Sequence, residues 1–595
     1  MVNARLVYQL EKTRCIPTFQ SGFRKGRSTL DNIINLETQI RNAFVRRNHL
    51  VSIFFDIEKA YDHTWRHGIL RSLHDSEFQG NLSIFIQNFL SSRIFRVRLG
   101  NIFSQPFIQD EGVPQGSVLS VTLFSLHFSK ILTILPLTIS ASLYVDDLQI
   151  SCQGSDINLI ERQLQNAVNK LLIWCNDNGH TLSLTKSSCV HFCRKRGMHP
   201  DPVIRIYDTV IPVVEKIPFL GIIFDRKLTF LPHVLQLRKR CEKLLNIIKV
   251  LSTTSWGADR TALLRIYHSV ILSRIDYGCE VYGSACSSVL RRLDPIHHCV
   301  TDFLGSFPDN TGTQPVRNLS SDAVTPASKK VRLYAARTSN ILPFCERMKR
   351  SLGDLDISTV QVYHIDFFSF PPWDVPQFSF LNPFSKFDKS TTNPVVFQQI
   401  FLSHRTQFCT YSPIFTDGSK TASRVGSGVV FDQNAFSRRL NASCSVLTAE
   451  LMAIWLALEK VFTLLENTFC IYSDSLSALE TLSHPQTSTH PIASKILCLL
   501  ARLKARDCEI LFCWIPSHVG IHGNELADTA AKSASIDLNH PLPYADIKKS
   551  LLIYVYSLWQ ESWDQQIRNK LHSIQPFYPL FGAAWPIWGP SAIKQ

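Results

Sequence analysis

No stretch of this sequence reads as a secretory leader, a membrane span, a tandem repeat or a disulfide framework. The opening MVNARLVYQLEKTRC carries charges throughout and no apolar core, unlike a signal peptide. The most apolar stretch, Ser117 to Val145, is interrupted by His127, Lys130 and Pro136. It reads as buried core rather than as a bilayer segment. The 16 cysteines follow no framework spacing, which points to reduced, structural thiols and an intracellular location, cytoplasm or nucleus, rather than secretion. Charged residues are sparse at 18% against 45% hydrophobic, so sizeable cores are expected and wholesale disorder is excluded. Among the charges, 62 Lys and Arg outweigh 48 Asp and Glu, a net +14 that suits a polyanionic partner.

Up to about Asp225 the chain alternates β-branched or aromatic runs with amphipathic stretches, as a mixed α/β unit does. From Phe230 to about Arg350 the pattern is helical. Within it, LRKRCEKLLNIIKVL sets Arg238, Lys239, Arg240, Lys243 and Lys249 beside an apolar stripe of Leu244, Leu245, Ile248 and Leu251. FFSFPPWDVPQFSFLNPF lies between Asp366 and Pro394. Its clustered prolines predict a linker without regular elements, packing through its aromatics. A second α/β pattern covers Tyr411 to Ser535. The tail holds a helical piece, ADIKKSLLIYVYSLWQESWDQQIRNKL, and ends in WPIWGPSAIKQ. CVHFC, Cys189 to Cys193, has metal-ligand residue types but alternates like a strand and is read as one.

VSIFFDIEKAYDHTW begins as a strand ending at Asp56, and Tyr61, Trp65, Ile69 and Leu73 then predict a helix face. SASLYVDDLQISC predicts a hairpin whose turn presents Asp146 and Asp147. Such acids repel one another unless cations neutralise them. An oxygen-only ligand set favours Mg²⁺, and two ions about 4 Å apart can serve both oxygens of a phosphoryl transfer. A second acidic set stands at the ends of other elements. Asp417 follows the strand of IFTDGSK. Glu450 lies near the start of a helix with apolar face Leu447, Leu451, Ile454, Trp455, Leu458 and Phe462. Asp474 ends the strand of CIYSDS. Asp528 falls one turn inside a helix that Asn524 is expected to cap.

FFDIEKAYD, GVPQGSVLS and YVDD, in this order, resemble the palm motifs of reverse transcriptases, most closely the LINE-type, non-LTR retrotransposon enzymes. QSGFRKGRSTLDNI is similar to their fingers segment, and LSLTKSS and IPFLGIIFD to the next two motifs, so the resemblance runs from about Thr18 to Asp225. It implies that Asp56 and Asp146 hold two Mg²⁺ ions, with Mn²⁺ as a substitute and Asp147 assisting. Tyr61 would stack under the incoming sugar, Gln115 and Gly116 would line the nucleotide and template pocket, and Lys186 would sit near the pyrophosphate. Arg24, Lys25 and Arg27 would face the triphosphate, and the basic helix near Arg238 would be a thumb tracking duplex backbone.

TDGS, TAE, SDS and SHVGIHGNELAD resemble ribonuclease H of the cellular and retroviral type over about Pro413 to Lys532. That resemblance implies two more Mg²⁺ ions on Asp417, Glu450, Asp474 and Asp528. It also implies a mobile loop carrying His518, and Gly418 and Ser419 against the RNA backbone.

The fold these resemblances imply is a multidomain α/β chain: a right-hand polymerase palm and fingers with a helical thumb, then a ribonuclease H-like α/β domain. The expected domains are 1–225 for truncated fingers and palm, 226–350 for a helical thumb or connection, 351–410 for a Pro/Phe-rich linker, 411–535 for ribonuclease H and 536–595 for a tail. The expected function is RNA-directed DNA synthesis together with hydrolysis of RNA in RNA–DNA hybrids. The expected partners are RNA template, DNA primer, RNA–DNA hybrid and deoxynucleoside triphosphates, with no membrane. The second reading is an element remnant that keeps only hybrid hydrolysis. No endonuclease precedes the polymerase motifs and the fingers look shortened, so a fragment of a mobile element is expected.

Overall fold

The structure, a computed structural model, describes residues 1–78, 80–195, 197, 199–253, 260–296, 341–347, 361–363, 370–371, 373, 377–421, 424–432, 434–484 and 490–565. Part of the expected thumb, most of the first half of the expected linker and the WPIWGPSAIKQ end lie outside the described residues. The chain divides into two compact units, one holding Val2–Asp354 and the other Leu355–Ser557.

The first unit is built on a four-stranded antiparallel sheet. Helix α1 (Thr29–Val45) precedes strand β1 (His49–Phe55), and α2 (Arg66–Asp75) and α3 (Val118–Phe128) follow. Strands β2 (Ser140–Tyr144) and β3 (Asp147–Gly154) form the predicted hairpin, α4 (Ile157–Asp177) packs on it, and β4 (Ser188–Phe192) completes the order β2-β3-β1-β4. Every residue of β1 is buried, because both faces of the sheet are covered. Leu50 and Phe54 face a core shared with α1 and with the long basic helix α5 (Leu231–Thr253), whereas Val51, Ile53 and Phe55 face α3 and α4. Thr122–Phe128 is core, as expected of an apolar stretch interrupted by polar residues. Among the described residues no helix is long and apolar enough to cross a membrane. Fifteen described cysteines are free thiols.

The spacing of Tyr61, Trp65, Ile69 and Leu73 overstates the helix after Asp56. Helix α2 starts only at Arg66, with Trp65 as its N-cap. Upstream, Glu58 N–H donates to Thr181 O at 2.9 Å and Ile57 bridges Leu182. This long-range pairing holds residues 58–63 in turns, with Lys59 at φ +44, and overrides the local period.

The second unit has a five-stranded sheet. Before it comes α6 (Pro394–Gln407), then β5 (Ser412–Lys420), β6 (Val425–Phe431), β7 (Asn434–Leu440), α7 (Val446–Phe462), β8 (Thr468–Ser473), β9 (Glu509–Trp514) and α8 (His522–Lys532). The order is β7-β6-β5-β8-β9; β5, β6 and β7 pair antiparallel, while β8 runs parallel to both β5 and β9. Helices α7 and α8 pack on β5 and β6. The C-terminal helical piece is present as Tyr544–Asp564.

Helix α6 follows the proline-rich stretch of Asp366 to Pro394 and lies within the expected 351–410 linker. Asn393 caps it by accepting from Val395 N–H at 3.0 Å, and Pro394 occupies the first turn, where proline costs no hydrogen bond. The aromatics of this segment do pack: Phe384 and Phe397 are each 1% exposed and share a core with Tyr472 and Ile515.

Candidate active sites

In the first unit, register sets the acids together. Phe55 pairs with Leu148 across β1 and β3, so Asp56 falls opposite Asp147. Tyr144 pairs with Asp147, leaving Val145 and Asp146 as a two-residue turn. Val145 has φ +62, a conformation a β-branched residue holds only under constraint. The constraint is Gln20, fully buried. Its Oε1 accepts from Val145 N–H at 3.0 Å and from Gly22 N–H at 2.8 Å, and its Nε2 donates to Val145 O at 3.3 Å. A Cβ on Gly22 would stand 2.5 Å from Val145 Cγ2, so glycine there is a packing requirement. Sequence reasoning missed Gln20 as a site residue, although it lies inside the quoted fingers motif.

Burial raises the Asp146 carboxyl, with Asp56 adding repulsion. The Asp147 carboxyl rises to about 6, first by loss of water around it and then by the charges of Asp146 and Asp56. Lys186 Nζ lies 3.3 Å from Asp56 Oδ2, so this lysine joins the acids directly. Tyr61 stacks on Phe124 with centroids 4.6 Å apart, and its hydroxyl is pushed to about 12 by burial and by Asp146. The loop carrying Gln115 and Gly116 is fastened beneath it. Val113 N–H donates to Tyr61 O at 2.9 Å, Gln115 Nε2 donates to Asp62 Oδ1 at 2.9 Å, and Gly116 adopts φ +91.

Arg24 does not fit the expected triphosphate contact. Its guanidinium makes two 2.7 Å hydrogen bonds to Glu11 and donates to Pro17 O and Gln20 O. Four donated hydrogen bonds commit it to holding the Gln20 segment in place. Arg27 pairs with Asp31 at 3.7 Å. Lys25 also has an interaction within the protein.

In the second unit, Thr416 pairs with Ser473 across the parallel strands, which sets Asp417 beside Asp474. Glu450 arrives from α7. A Cβ on Gly418 would stand 2.4 Å from Glu450 N, so the missing side chain is what lets the helix reach the strand. Carboxylate oxygens of Asp417, Glu450 and Asp474 lie within 4.8 Å of one another, a group able to hold a metal ion. Asp417 and Glu450 are each 6% exposed. The Asp417 carboxyl is raised to about 7, by burial and then by Asp474 and Asp528. Burial, with repulsion from Asp417 and Asp474, lifts Glu450 well above the usual range, and its Oε2 is buried without a hydrogen-bond partner.

Asp528 lies close enough to add charge to this trio, while its Oδ2 accepts from Lys532 Nζ at 2.7 Å. Asn524 is not the cap of its helix. Ile521 occupies the cap, and Asn524 points inward to donate from Nδ2 to Asp474 Oδ2 at 3.1 Å. His518, at φ +54, lies near enough to favour the charged form of Asp474. The His518 loop is tied to the segment before β5: Gln398 Nε2 donates to Val519 O and Lys389 Nζ to Ser517 Oγ, both at 2.9 Å. Neither tie was legible from motif spacing.

Residues 1–224 match the family model of reverse transcriptase (RNA-dependent DNA polymerase), and residues 410–536 match that of RNase H. Among curated proteins, the chain is 26% identical over 316 residues to the probable RNA-directed DNA polymerase from transposon BS of Drosophila melanogaster, covering 50% of this chain and 33% of that one. It is 27% identical over 299 residues to the RNA-directed DNA polymerase from mobile element jockey of the same species, covering 49% and 32%. The chain thus spans about a third of the length of these relatives. Among solved structures, an LC11 RNase H1 in complex with RNA/DNA hybrid aligns at 20% identity and TM-score 0.18, over 20% of this chain and 96% of that one. The chain therefore joins a reverse transcriptase domain to a ribonuclease H domain and is a relative of the RNA-directed DNA polymerases of non-LTR retrotransposons.

Proposed function

We propose that this chain copies RNA into DNA at the Asp56, Asp146 and Asp147 cluster and hydrolyses the RNA of RNA–DNA hybrids at the Asp417, Glu450, Asp474 and Asp528 cluster. The observation that carries the reading is the same in both units: carboxylates from separate elements converge at strand ends, with oxygen as the only ligand atom. Such a donor set suits Mg²⁺, and the orphaned Glu450 Oε2 is an acceptor that a cation would satisfy. Bound in pairs, divalent ions would activate the attacking oxygen and offset charge on the leaving one.

The side chains supply the rest. Tyr61, rigid on Phe124, gives the incoming sugar a flat apolar wall. Gln115 and Gly116 line the template side, and Lys186, paired with Asp56, is placed to meet phosphate charge. In the second centre Gly418 and Ser419 meet the RNA backbone, the 2′-hydroxyls distinguish the strand to be cut, and His518 carries protons at the loop. The basic face of α5 contacts duplex phosphates.

The test is magnesium-dependent primer extension on an RNA template beside cleavage of a labelled hybrid. Asp146→Asn should remove extension and spare cleavage, and Asp474→Asn should do the reverse. Loss of both reactions from either single change would refute two independent centres. Cleavage without extension by the unaltered chain would reduce it to a hybrid ribonuclease.

A further inference from the structure

We propose that His49, His191, Cys193 and His199 form a structural zinc site at the end of the palm sheet remote from Asp56. His49 opens β1 and His191 lies in β4. Leu50 pairs with Phe192, so the register sets His49 opposite Cys193. Ligand atoms of His49, His191 and Cys193 lie within 4.8 Å of one another, and all three residues are buried. His49 Nδ1 and His191 Nε2 face each other at 2.9 Å.

Three further contacts point to a ligand. His191 Nδ1 lies 2.9 Å from Asp201 Oδ1. A carboxylate on one ring nitrogen is the usual support of a metal-binding histidine, because it fixes the proton there and leaves the other nitrogen's lone pair free. Lys195 N–H donates to Cys193 Sγ at 3.4 Å, which orients the sulfur beside the two imidazoles. His199 stands edge-on to His49 with ring centroids 5.0 Å apart, and its Nε2 is buried without a hydrogen-bond partner. Leaving that nitrogen unsatisfied is unfavourable, and a cation is the acceptor of lone pairs that would satisfy it. Arg226 Nη2 also faces His191 Nδ1, at 3.0 Å, as a donor competing with Asp201 for that nitrogen, and is itself paired with Asp201 and Glu215.

Imidazole and thiolate donors without oxygen select zinc over magnesium. His49, His191 and Cys193 supply three grouped ligands, and His199 turning its Nε2 in as a fourth would leave no open position, the mark of a structural rather than a catalytic site. Asp56 follows the end of the seven-residue strand that His49 opens, roughly 20 Å away, so the ion would take no part in the chemistry there. It would fix the start of β1 against the end of β4.

The test uses the full chain purified without chelator. Elemental analysis should find about one zinc per chain. The zinc should be lost in Cys193→Ser and in His49→Gln and kept in Asp146→Asn and Asp474→Asn. Cobalt(II) added to the stripped wild type should give a thiolate-to-metal charge-transfer band and the strong visible bands of tetrahedral coordination, both absent in Cys193→Ser. A folded wild type that retains no zinc and shows no such band would overturn the proposal. So would a band that survives in Cys193→Ser.

Discussion

Gln20 and Val145 are joined by two hydrogen bonds across 125 positions of chain, and the fingers motif thereby holds the turn that presents Asp146. Val145 keeps φ +62 because a fully buried amide satisfies both its N–H and its C=O. Replacing Gln20 with alanine would leave the N–H groups of Val145 and Gly22 unpaired, about 1–3 kcal/mol each, and free the turn to relax. A carboxylate displaced by about 1 Å can cost about 100-fold in rate. Gln20→Ala should therefore lose primer extension to about that extent while hybrid cleavage stays unchanged. Equal extension rates for variant and wild type, measured at saturating nucleotide, would show that the turn does not need its clamp.

The outline of both centres was legible where local periodicity and tertiary structure agree. A period of two places Asp56 at the end of β1 and Asp146 in a hairpin, and a period near four places Glu450 on α7. What was not legible depends on distant partners. The helix after Asp56 begins late because Glu58 pairs with Thr181. Arg24 turns inward because Glu11 waits for it. Asn524 reaches Asp474 rather than a helix cap, and α6 starts at Pro394, where the proline-rich stretch ends. A proline in a first turn starts a helix as readily as an interior proline breaks one. Only the Asn393 cap distinguishes the two.

Glu37 and Arg41 form an ion pair with both side chains fully buried on α1. Arg41 also donates to Ser284 Oγ at 2.7 Å, and Arg347 Nη2 reaches Glu37 Oε1 at 3.1 Å. Burial is the largest influence on Arg41 and lowers its guanidinium to about 10. Removing one partner strands the other charge, at about 3–5 kcal/mol. Arg41→Met should lower the unfolding free energy of the polymerase unit, read from urea denaturation, by less than that measure, because Arg347 still pairs with Glu37. The double change Glu37→Leu with Arg41→Met should cost less than the single one. A double variant as unstable as the sum of its parts would show that packing, not stranded charge, sets the penalty.

Asp417 gives the ribonuclease unit a pH dependence of definite sign. An unfolded aspartate titrates at about 3.9, whereas this one titrates at about 7. The folded state therefore binds the proton more tightly, and stability falls as pH rises from about 4 to about 7. In chelator, thermal unfolding of this unit should occur at lower temperature at pH 8 than at pH 5.5. Magnesium should restore most of the difference at pH 8, and Asp417→Asn should weaken the dependence on both pH and metal, with the remainder carried by the raised Glu450 carboxyl. A melting temperature flat across that range in chelator would contradict the crowding of Asp417, Glu450 and Asp474.

Gln398 Nε2 on α6 donates to Val519 O at 2.9 Å, in a loop where the neighbouring His518 stands near Asp474. A Cβ on Gly520 would fall 2.2 Å from Gln398 Nε2, so the two segments are in close contact. Gln398→Ala should slacken the loop without touching the carboxylates. The expected outcome is a lower rate of hybrid cleavage under saturating substrate, with magnesium dependence and primer extension unchanged.

Asn524 offers the sharpest separation of charge from geometry. Its Nδ2 is the donor that holds Asp474 Oδ2 at 3.1 Å and works against the burial that raises that carboxyl. Asn524→Asp keeps the size of the side chain and exchanges a donor for a second negative charge. Repulsion then raises the Asp474 carboxyl further, so the acid limb of the cleavage profile should move to higher pH and more magnesium should be needed for half-maximal rate. Asn524→Ala removes the donor without adding charge, so it should shift the limb in the same direction by less. Because the two variants differ in charge but share the lost hydrogen bond, equal shifts would assign the effect to position alone, and a shift to lower pH in either would contradict the contact.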